Sequence, residues 1–324
     1  MQRRFFLRSA AALIMAACCS SGAFAQSTHS SIRFVVPYPA GGAADQISRL
    51  VANETSNVLG VPIVIENKGG AAGMIAAETV LQAAPDGATF YVGSNAPIVI
   101  NQAIYKTMSY DPAKDFVPVA GMGKAPLLLV TRQDLGVSDL KSLIELGKSS
   151  EKGLNMGSAS SGNITHLAGE YAVNKMGFKV THVPFKGSAP AIVSLMGGQI
   201  DIMFDALPSC IAQAASGRIV PLAILDTQRF PQLADVPTAE ELGYPGLEAA
   251  AWFGVMARTG TPDADIQAMN AAVNKALENP ELIERLRGIG AQPMPGDQKE
   301  FARFIDAERE RWVPLAKSLG VQAD

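Results

Sequence analysis

Residues 180–205 constrain the fold of this chain most strongly, because they predict a strand, a loop, a helix and a second strand in direct succession. Pro190 suits the first turn of the helix, where its missing N–H is not needed, and Gly197 suits the end of that helix. Two strands joined by one helix form a βαβ unit with parallel strands. We expect Lys186 and Asp205 just past the carboxyl ends of these strands, at the edge where open α/β sheets bind ligands.

The same alternation extends on both sides of this unit. Residues 31–94 predict strand, helix, strand, helix and strand, with a first helix over 43–59 that ends at Gly60. Residues 139–225 predict a second set of strands and helices, and a helical tail follows from a cap and first turn at Thr261 and Pro262. This order is typical of parallel sheets with helices packed on their faces.

A length of 324 residues favours two domains. The apolar residues 125–131 are expected to lead from one domain into the other, and an apolar strand over 252–257 to carry the chain back. We therefore place domain 1 at residues 31–128 and 251–324 and domain 2 at residues 129–250.

The N-terminus has the pattern of an export signal. A basic segment with Arg3, Arg4 and Arg8 precedes an apolar run at 10–17, and an A-x-A site predicts cleavage after Ala25. The mature chain would follow this 1–25 signal peptide. The arginine pair also resembles a twin-arginine signal, so we expect export by the Sec or the Tat route.

The cysteine content and the net charge limit the expected cellular location and the expected binding partners. Cys18 follows an imperfect lipoprotein box, so no lipid anchor is expected. Cys18 and Cys19 leave with the signal, and Cys210 alone cannot form an intrachain disulfide. Export without disulfides favours the bacterial periplasm. A net charge of -3 gives no reason to expect a nucleic-acid partner.

Five loops rich in small residues follow predicted strands, and three of them open directly into helices. Free backbone N–H groups and the helix dipole at such places favour a carboxylate or a phosphate, and glycine lets the backbone approach the ligand. Two sets of these loops facing each other across a cleft would form an anion site. The loops are residues 38–42, 68–73, 94–95, 158–162 and 185–188.

Catalytic, nucleotide and metal sites have little support. Ser160 lies in S-x-S-x-G, which lacks the first glycine of a nucleophile elbow, and His166 would lie one to two turns into the next helix. The chain has no P-loop or G-x-G-x-x-G motif, and its histidines lack metal-ligand spacing. We expect no enzyme activity, no cofactor and no metal. A secreted serine hydrolase using Ser160 and His166 and a partner-binding protein with an empty cleft remain the alternatives.

Four residues have both a functional and a structural interpretation, and a fifth, Trp252, has a structural one. Asp45 would contact the ligand or favour the dipole of its helix. Lys186 would pair with an anion at the pocket rim or be a solvated loop residue. Asp205 would cap the following helix or close the pocket by hydrogen bonding. Tyr38 would pack on the ligand or cover the first loop, and Trp252 is expected in the core.

Seven sequence motifs occur in an order and with a spacing that resemble those of a known family. The chain resembles the solute receptors of tripartite tricarboxylate transporters, the TctC or Bug family, over essentially the whole mature sequence. The motifs are PYPAGGAAD at 37–45 with Arg49, VIENKGGAAG at 64–73, NMGSASSGNITHL at 155–167, HVPFKGSAP at 182–190, GQIDIMFD at 198–205, DVPT at 235–238 and GYPG at 243–246.

The resemblance implies a periplasmic binding protein of the type II-like, flytrap kind, with two α/β domains, each a mostly parallel sheet flanked by helices, and a ligand cleft between them. In the family, the loop corresponding to residues 38–42 grips a ligand carboxylate through backbone groups and bridging waters. The loop at residues 158–165, in the second domain, would bind the ligand from the other side of the cleft. The predicted ligand-binding residues are Tyr38, Pro39, Ala40, Gly41, Gly42, Asp45, Ser94, Asn95, Ser158, Ser160, Ser161, Gly162, Thr165, His166, Lys186, Gly187 and Asp205.

Two departures from the family pattern concern the ligand. Phe185 replaces the usual tyrosine and removes a hydroxyl, and Ala44 occupies the second position after the glycine pair at 41–42. The pocket loops contain no arginine, so no bidentate carboxylate clamp is expected. This favours monocarboxylates, aromatic acids or amino-acid-like ligands over citrate, although dicarboxylates remain within the expected class.

The resemblance also implies partners. We expect a monomer that captures a small carboxylate by domain closure and delivers it to the membrane permease subunits of a tripartite tricarboxylate transporter. Receptors of this family are often encoded without their transporter, so an orphan receptor with a sensory or signalling role is the alternative.

Overall fold

The computed structural model describes residues 29–323. The predicted signal peptide at residues 1–25, with Cys18 and Cys19, lies outside the described residues. No helix within 29–323 is both long and apolar enough to cross a bilayer. The strands are β1 Ile32–Val36, β2 Ile63–Asn67, β3 Thr89–Ser94, β4 Phe116–Arg132, β5 Leu154–Ser158, β6 Val180–Pro184, β7 Ile202–Ala206, β8 Ile219–Leu225, β9 Ala250–Arg258 and β10 Gln292–Pro293.

Helices cover the faces of the sheet. The first helix, α1, ends where predicted, because Gly60 adopts a left-handed conformation and its N–H bonds to the carbonyl of Ser56. The helices are α1 Ala43–Leu59, α2 Met74–Gln82, α3 Asn101–Ile104, α4 Pro112–Asp115, α5 Leu140–Ser149, α6 Ile164–Met176, α7 Ser188–Met196, α8 Leu207–Ala215, α9 Asp263–Leu277, α10 Pro280–Gly288 and α11 Gln298–Ser318.

One long strand joins two parts of the sheet. β4 pairs with β9 up to Pro126 and with β7 and β8 from Leu127 onward. Parallel strands lie on either side of this centre: β1 pairs with β2 and β3, and β5 pairs with β6 and β7. We call these two parts, with their helices, the first and the second lobe. The arrangement confirms the two-domain α/β fold class.

The length of β4 was not predicted. Only the apolar residues 125–131 were expected to lead from one domain into the other. Before them lie Pro118, Gly121 and Gly123, which are weak strand formers. In the structure the strand begins at Phe116, and its register against β9 shifts beside each of these three residues. The bulges allow the strand to continue through them.

Two expectations about helix and strand ends are corrected. Asp205 lies inside β7 rather than after it, because β7 starts only at Ile202. The preceding Asp201 uses its side chain to accept hydrogen bonds from the N–H of Asn155 and from Arg132. Asp205 is also not the cap of α8, whose N-cap is Ala206. In α9 the N-cap is Pro262 and not Thr261, and the cap makes no side-chain hydrogen bond.

A short π-helix, Asn95–Ile100, follows β3 where only a loop was predicted. All six of its residues are buried. It packs against α11, whose Phe301 and Phe304 lie edge-on to Trp252 of β9. Trp252 is 1% exposed, which confirms its predicted place in the core. The end of β3 is thus held between β9 and α11.

Candidate ligand-binding site

A small cavity of about 30 Å³ lies between the two lobes. Its first-lobe wall comes from the loop after β1, the end of β3 and the start of β9. Its second-lobe wall comes from the loop after β5, the first residues of the two helices that start at Ile164 and Ser188, and the end of β7. The lining residues are Tyr38, Pro39, Gly42, Ala43, Ala44, Ser94, Asn95, Ala159, Asn163, Ile164, Thr165, Ser188, Asp205, Ala206, Ala251 and Phe253.

Helix N-termini converge on this cavity. α1, α6, α7 and α8 each place their cap or their first turn in the wall, and the π-helix begins there at Asn95. The first N–H groups of a helix have no partner within the helix, and the dipole adds positive potential. Among the lining residues none is a lysine, arginine or histidine. The positive potential in this wall therefore comes from helix N-termini and not from cationic side chains.

Tyr38 connects the lobes across the cavity. Its hydroxyl accepts a hydrogen bond from Nδ2 of Asn163 at 3.1 Å and lies 3.3 Å from Oγ of Ser94. Asn163 also caps α6, since its Oδ1 accepts from the N–H of Thr165. Burial raises the pKa of Tyr38 to about 12, although the bonds to Ser94 and Asn163 oppose that rise. The hydroxyl is therefore neutral at physiological pH.

The loop after β1 packs directly on the loop before α7. A methyl group added at Gly187 would lie 2.9 Å from Cδ of Pro39, and the φ of Gly187 is +112°. A methyl group at Gly42 would lie 3.8 Å from Cβ of Ser188. Glycine is therefore needed at 187 both for its backbone conformation and for the approach of Pro39.

Two further hydrogen bonds join α1 to α8. The N–H of Ala43 donates to Oγ of Ser209 at 3.0 Å, and Nε2 of Gln46 donates to the carbonyl of Pro208 at 2.7 Å. Together with the Tyr38–Asn163 bond, they show that the lobes are closed on one another in this structure. The closed form explains why the cavity is small.

Asp205 is the only carboxylate among the lining residues. Its side chain is 1% exposed, and its Oδ1 accepts from Oγ of Ser188 at 2.9 Å and from the N–H of Ala206 at 2.8 Å. Within residues 29–323, its Oδ2 has no hydrogen-bond partner. Burial raises the pKa of Asp205 to about 7, against the lowering effect of those two bonds.

Both ends of the Asn95 side-chain amide are hydrogen-bonded to other groups of the protein. Its Oδ1 accepts from the N–H of Trp252, and its Nδ2 donates to the carbonyl of Ala250 and to Oε2 of Glu308. Nε1 of Trp252 donates to the same Oε2 at 3.0 Å. Burial raises the pKa of Glu308, while the nearby charge of Arg311 opposes the rise. This network anchors the π-helix to β9 and α11 behind the cavity wall.

Asp45 and Lys186 do not line the cavity. Asp45 is buried, accepts from the N–H of Gly41 at 3.0 Å and pairs with Arg49 at 2.8 Å. Burial would raise the pKa of Asp45, but these partners and Asn67 lower it. The geometry supports a role for Asp45 in shaping the loop at residues 38–42. Lys186 is exposed on the loop before α7.

The predicted hydrolase pair is not assembled. Oγ of Ser160 has no hydrogen-bond partner among the described residues, and Nδ1 of His166 accepts from the N–H of Gly162 at 3.1 Å. Instead, Nε2 of His182 lies 2.6 Å from Oγ of Ser158, and the His166 and His182 rings stack at 3.5 Å. This cluster lies under the loop after β5, outside the cavity wall.

Burial and, to a smaller extent, the neighbouring His166 ring lower the pKa of His182 to about 3. An imidazole with such a pKa is a weak base, and Ser158 beside it is fully buried. The pair is thus poorly suited to activating a nucleophile. We interpret it as a packing and hydrogen-bonding element that supports the loop.

The structure brings together part of the predicted set. Tyr38, Pro39, Gly42, Ser94, Asn95, Thr165 and Asp205 line the cavity. Ala40, Gly41, Asp45, Ser158, Ser160, Ser161, Gly162, His166, Lys186 and Gly187 belong to the surrounding loops and helices without lining it. Contact of any of these residues with a ligand remains a prediction.

Several lining residues were not singled out from the sequence. Asn163 and Ser188 carried a signal, since an asparagine before a helix is a common N-cap and both residues lie in or beside predicted loops. Ala251 and Phe253 carried no such signal, because their sequence pattern is that of an ordinary buried strand. They form part of the apolar wall together with Ile164.

The family model of the tripartite tricarboxylate transporter family receptor, TctC, matches residues 47–321. The chain belongs to this receptor family. Among curated relatives, it is similar to Protein BugT of Bordetella pertussis, with 32% identity over 292 residues that cover 90% of this chain and 90% of BugT.

Solved structures agree with this assignment. A Rhodopseudomonas palustris protein solved with adipate has a TM-score of 0.87 and 36% identity, covering 90% of this chain and 98% of its own. MatC from the same organism, solved with bound malate, has a TM-score of 0.82 and 34% identity, covering 88% and 98%. The family consists of solute receptors, with periplasmic binding proteins among its solved structures. This implies an extracytoplasmic location.

Proposed function

We propose that this protein captures a small carboxylate in the cavity between its lobes and delivers it to the permease of a tripartite tricarboxylate transporter. The observation that carries the proposal is the convergence of helix N-termini on a buried cavity whose wall has no cationic side chain. Such a wall binds anions through backbone donors. We expect the protein to act as a binding protein and not as an enzyme, in the periplasm after signal cleavage.

Domain closure is the mechanism that the contacts support. Domain 1, residues 31–128 with 251–324, and domain 2, residues 129–250, would move about the strands that cross between them. Closure forms the bonds from Tyr38 to Asn163 and from Ala43 to Ser209. A ligand that contacts both lobes favours the closed form by its differential affinity for it.

Small mono- and dicarboxylates are the proposed ligand class. Relatives were solved with adipate and with malate, which supports a carboxylate here. The absence of arginine from the lining argues against a ligand with many charges. The apolar wall at Ala251 and Phe253 suits a short aliphatic or aromatic body.

Thermal unfolding of refolded, ligand-free protein tests this function. The panel contains acetate, succinate, adipate, malate, citrate, benzoate and aspartate. A carboxylate at a hundred times its dissociation constant should stabilise the fold by about 2.7 kcal/mol, which raises the Tm by several degrees. No response to any carboxylate would contradict the proposal.

A cavity-filling variant checks the location. Ala159 lines the cavity, so Ala159→Phe should remove the response to carboxylates while the protein still unfolds cooperatively. Ala84→Phe is the matched control, because Ala84 is exposed on the loop between α2 and β3, outside the cavity wall. An unchanged response in the Ala159 variant would place the ligand elsewhere.

A further inference from the structure

Asp205 poses a problem for a carboxylate receptor, because it adds a carboxyl group to a cavity that otherwise favours anions. Its Oδ1 is saturated by the hydroxyl of Ser188 and the N–H of Ala206. Its Oδ2 is buried and has no partner in residues 29–323, although Asp205 lines the cavity. Buried polar atoms without partners are rare and costly, so this oxygen calls for an explanation.

Among residues 29–323, no cationic side chain lines the cavity beside Asp205 or forms an ion pair with it. On the cavity side the other titratable lining residue is Tyr38. Behind Asp205, α7 contributes Ser188, α8 contributes the buried thiol of Cys210, and β4 places Leu128 opposite it. Oδ1 accepts two hydrogen bonds, whereas Oδ2 accepts none and is the atom free to carry a proton.

We propose that Asp205 binds the ligand as a neutral acid, with a proton on Oδ2 that is donated to a carboxylate oxygen of the ligand. Above neutral pH, capture then takes up one proton from solution. The inference rests on the proposed function, since it requires a carboxylate in the cavity. It assigns Asp205 as a residue that selects for anions and makes binding dependent on pH.

Electrostatics gives the reason. Two carboxylates in contact cannot both remain ionised in a poorly solvated site, and they share one proton instead. Burial already raises the pKa of Asp205 to about 7 in the closed protein, and a second negative charge beside it would raise that pKa further. The free energy of binding is then linked to proton uptake.

Titration calorimetry of refolded, ligand-free protein tests the proposal. Adipate, malate and acetate are titrated at pH 5.5, 7.0 and 8.5, each in two buffers that differ in ionisation heat. We expect no proton uptake at pH 5.5 and close to one proton per bound carboxylate at pH 8.5. Affinity should fall by up to tenfold per pH unit above neutrality.

Asp205→Asn is the central variant. Its amide can donate one hydrogen bond to the ligand without titrating, so adipate, malate or acetate should bind it with an affinity that does not change between pH 5.5 and 8.5. Asp235→Asn, at an exposed position of the second lobe, is the matched control and should keep the pH dependence of the wild type. If Asp205→Asn does not fold, the proton count of the wild type decides.

The outcomes are distinguishable. Binding of a carboxylate without proton uptake at pH 8.5 would overturn the inference and leave the proposed function standing. Tighter binding of aspartate at pH 8.5 than at pH 5.5, lost in Asp205→Asn, would also overturn it, since an ionised Asp205 would then accept from an ammonium group. Failure of every carboxylate to bind wild type and variant would overturn both proposals.

Discussion

At the scale of single residues, burial shifts the pKa values of Tyr38, Asp205 and His182, in and under the cleft, in the direction that favours their neutral forms. Burial raises the pKa of Tyr38 to about 12 and of Asp205 to about 7, and it lowers the pKa of His182 to about 3. Each shift disfavours the charged form, as desolvation predicts. The proposed anion preference of the cleft would therefore come from helix dipoles and not from fixed side-chain charges.

His182 should make the fold sensitive to mild acid. Its folded pKa of about 3 lies below its ordinary value of 6.5, so the unfolded chain binds the proton first. Stability is then lost as pH falls from about 6.5 towards 3. Urea midpoints measured from pH 7 to 4.5 should fall less steeply for His182→Gln than for wild type. His29→Gln is the control, and equal slopes for wild type and His182→Gln would contradict this account.

Tyr38→Phe should weaken carboxylate binding without unfolding the protein. The change removes the hydroxyl that joins Asn163 and Ser94 across the cleft. A net hydrogen bond contributes about 0.5–1.5 kcal/mol, so we expect an affinity about two- to tenfold lower by calorimetry. Tyr171→Phe, outside the cavity wall, should bind as the wild type does. An unchanged affinity for Tyr38→Phe would show that this bond has no part in closure.

The loops that line the cavity were more predictable from the sequence than the individual lining side chains were. Glycine and serine after predicted strands pointed to residues 38–42 and 158–162 for a general reason, namely free N–H groups at helix starts. The stacking of His166 on His182 and the Ser158 bond depend on β5 and β6 lying side by side, which local patterns do not encode. Trp252 was predicted in the core because its whole neighbourhood is apolar.

At the scale of elements, the site depends on where helices begin. The helix α1 was predicted over its full length, since its apolar spacing and the glycine at 60 both mark it. The π-helix Asn95–Ile100 was not predicted, because burial against α11 stabilises it and no local signal does. The first half of β4 was missed for a similar reason: pairing with β9 overrides weak strand propensity.

Gly187→Ala should interfere with closure. A methyl group there would lie 2.9 Å from Pro39, in a residue with φ of +112°. We expect weaker carboxylate binding and a small loss of stability, measured by calorimetry and thermal unfolding. Gly198→Ala is the matched control, with φ of +71° and no atom within 4 Å of the added methyl group. It should lose stability but not affinity, and equal affinity losses would refute the role of the contact.

Glu308 should matter for the element behind the cavity. Glu308→Leu leaves Nε1 of Trp252 and one N–H of Asn95 without their acceptor. An unsatisfied buried polar group costs about 1–3 kcal/mol, so unfolding free energy should fall by that order. Glu308→Gln keeps an acceptor oxygen and relieves a buried charge, so its stability should stay near that of the wild type. Equal destabilisation by both variants would contradict the network.

At the scale of the whole molecule, the chain is two lobes joined by a strand that belongs to both. β4 changes partners after Pro126, and contacts from α1 to α8 and from Pro39 to Gly187 close the cleft beside that crossing. The two-lobed class was predictable from the alternation of strands and helices and from the family resemblance. The closed geometry was not, because it depends on contacts between distant residues.

The most direct test of the central claim is titration calorimetry of ligand-free protein with adipate and malate, repeated on Ala159→Phe and Ala84→Phe. The account predicts one carboxylate bound per chain in the wild type and in Ala84→Phe, and no binding by Ala159→Phe although it remains folded. Binding of equal strength in all three proteins would contradict a site in the cavity between the lobes. Absence of binding in the wild type, extended to the remaining carboxylates of the panel, would contradict the receptor function itself.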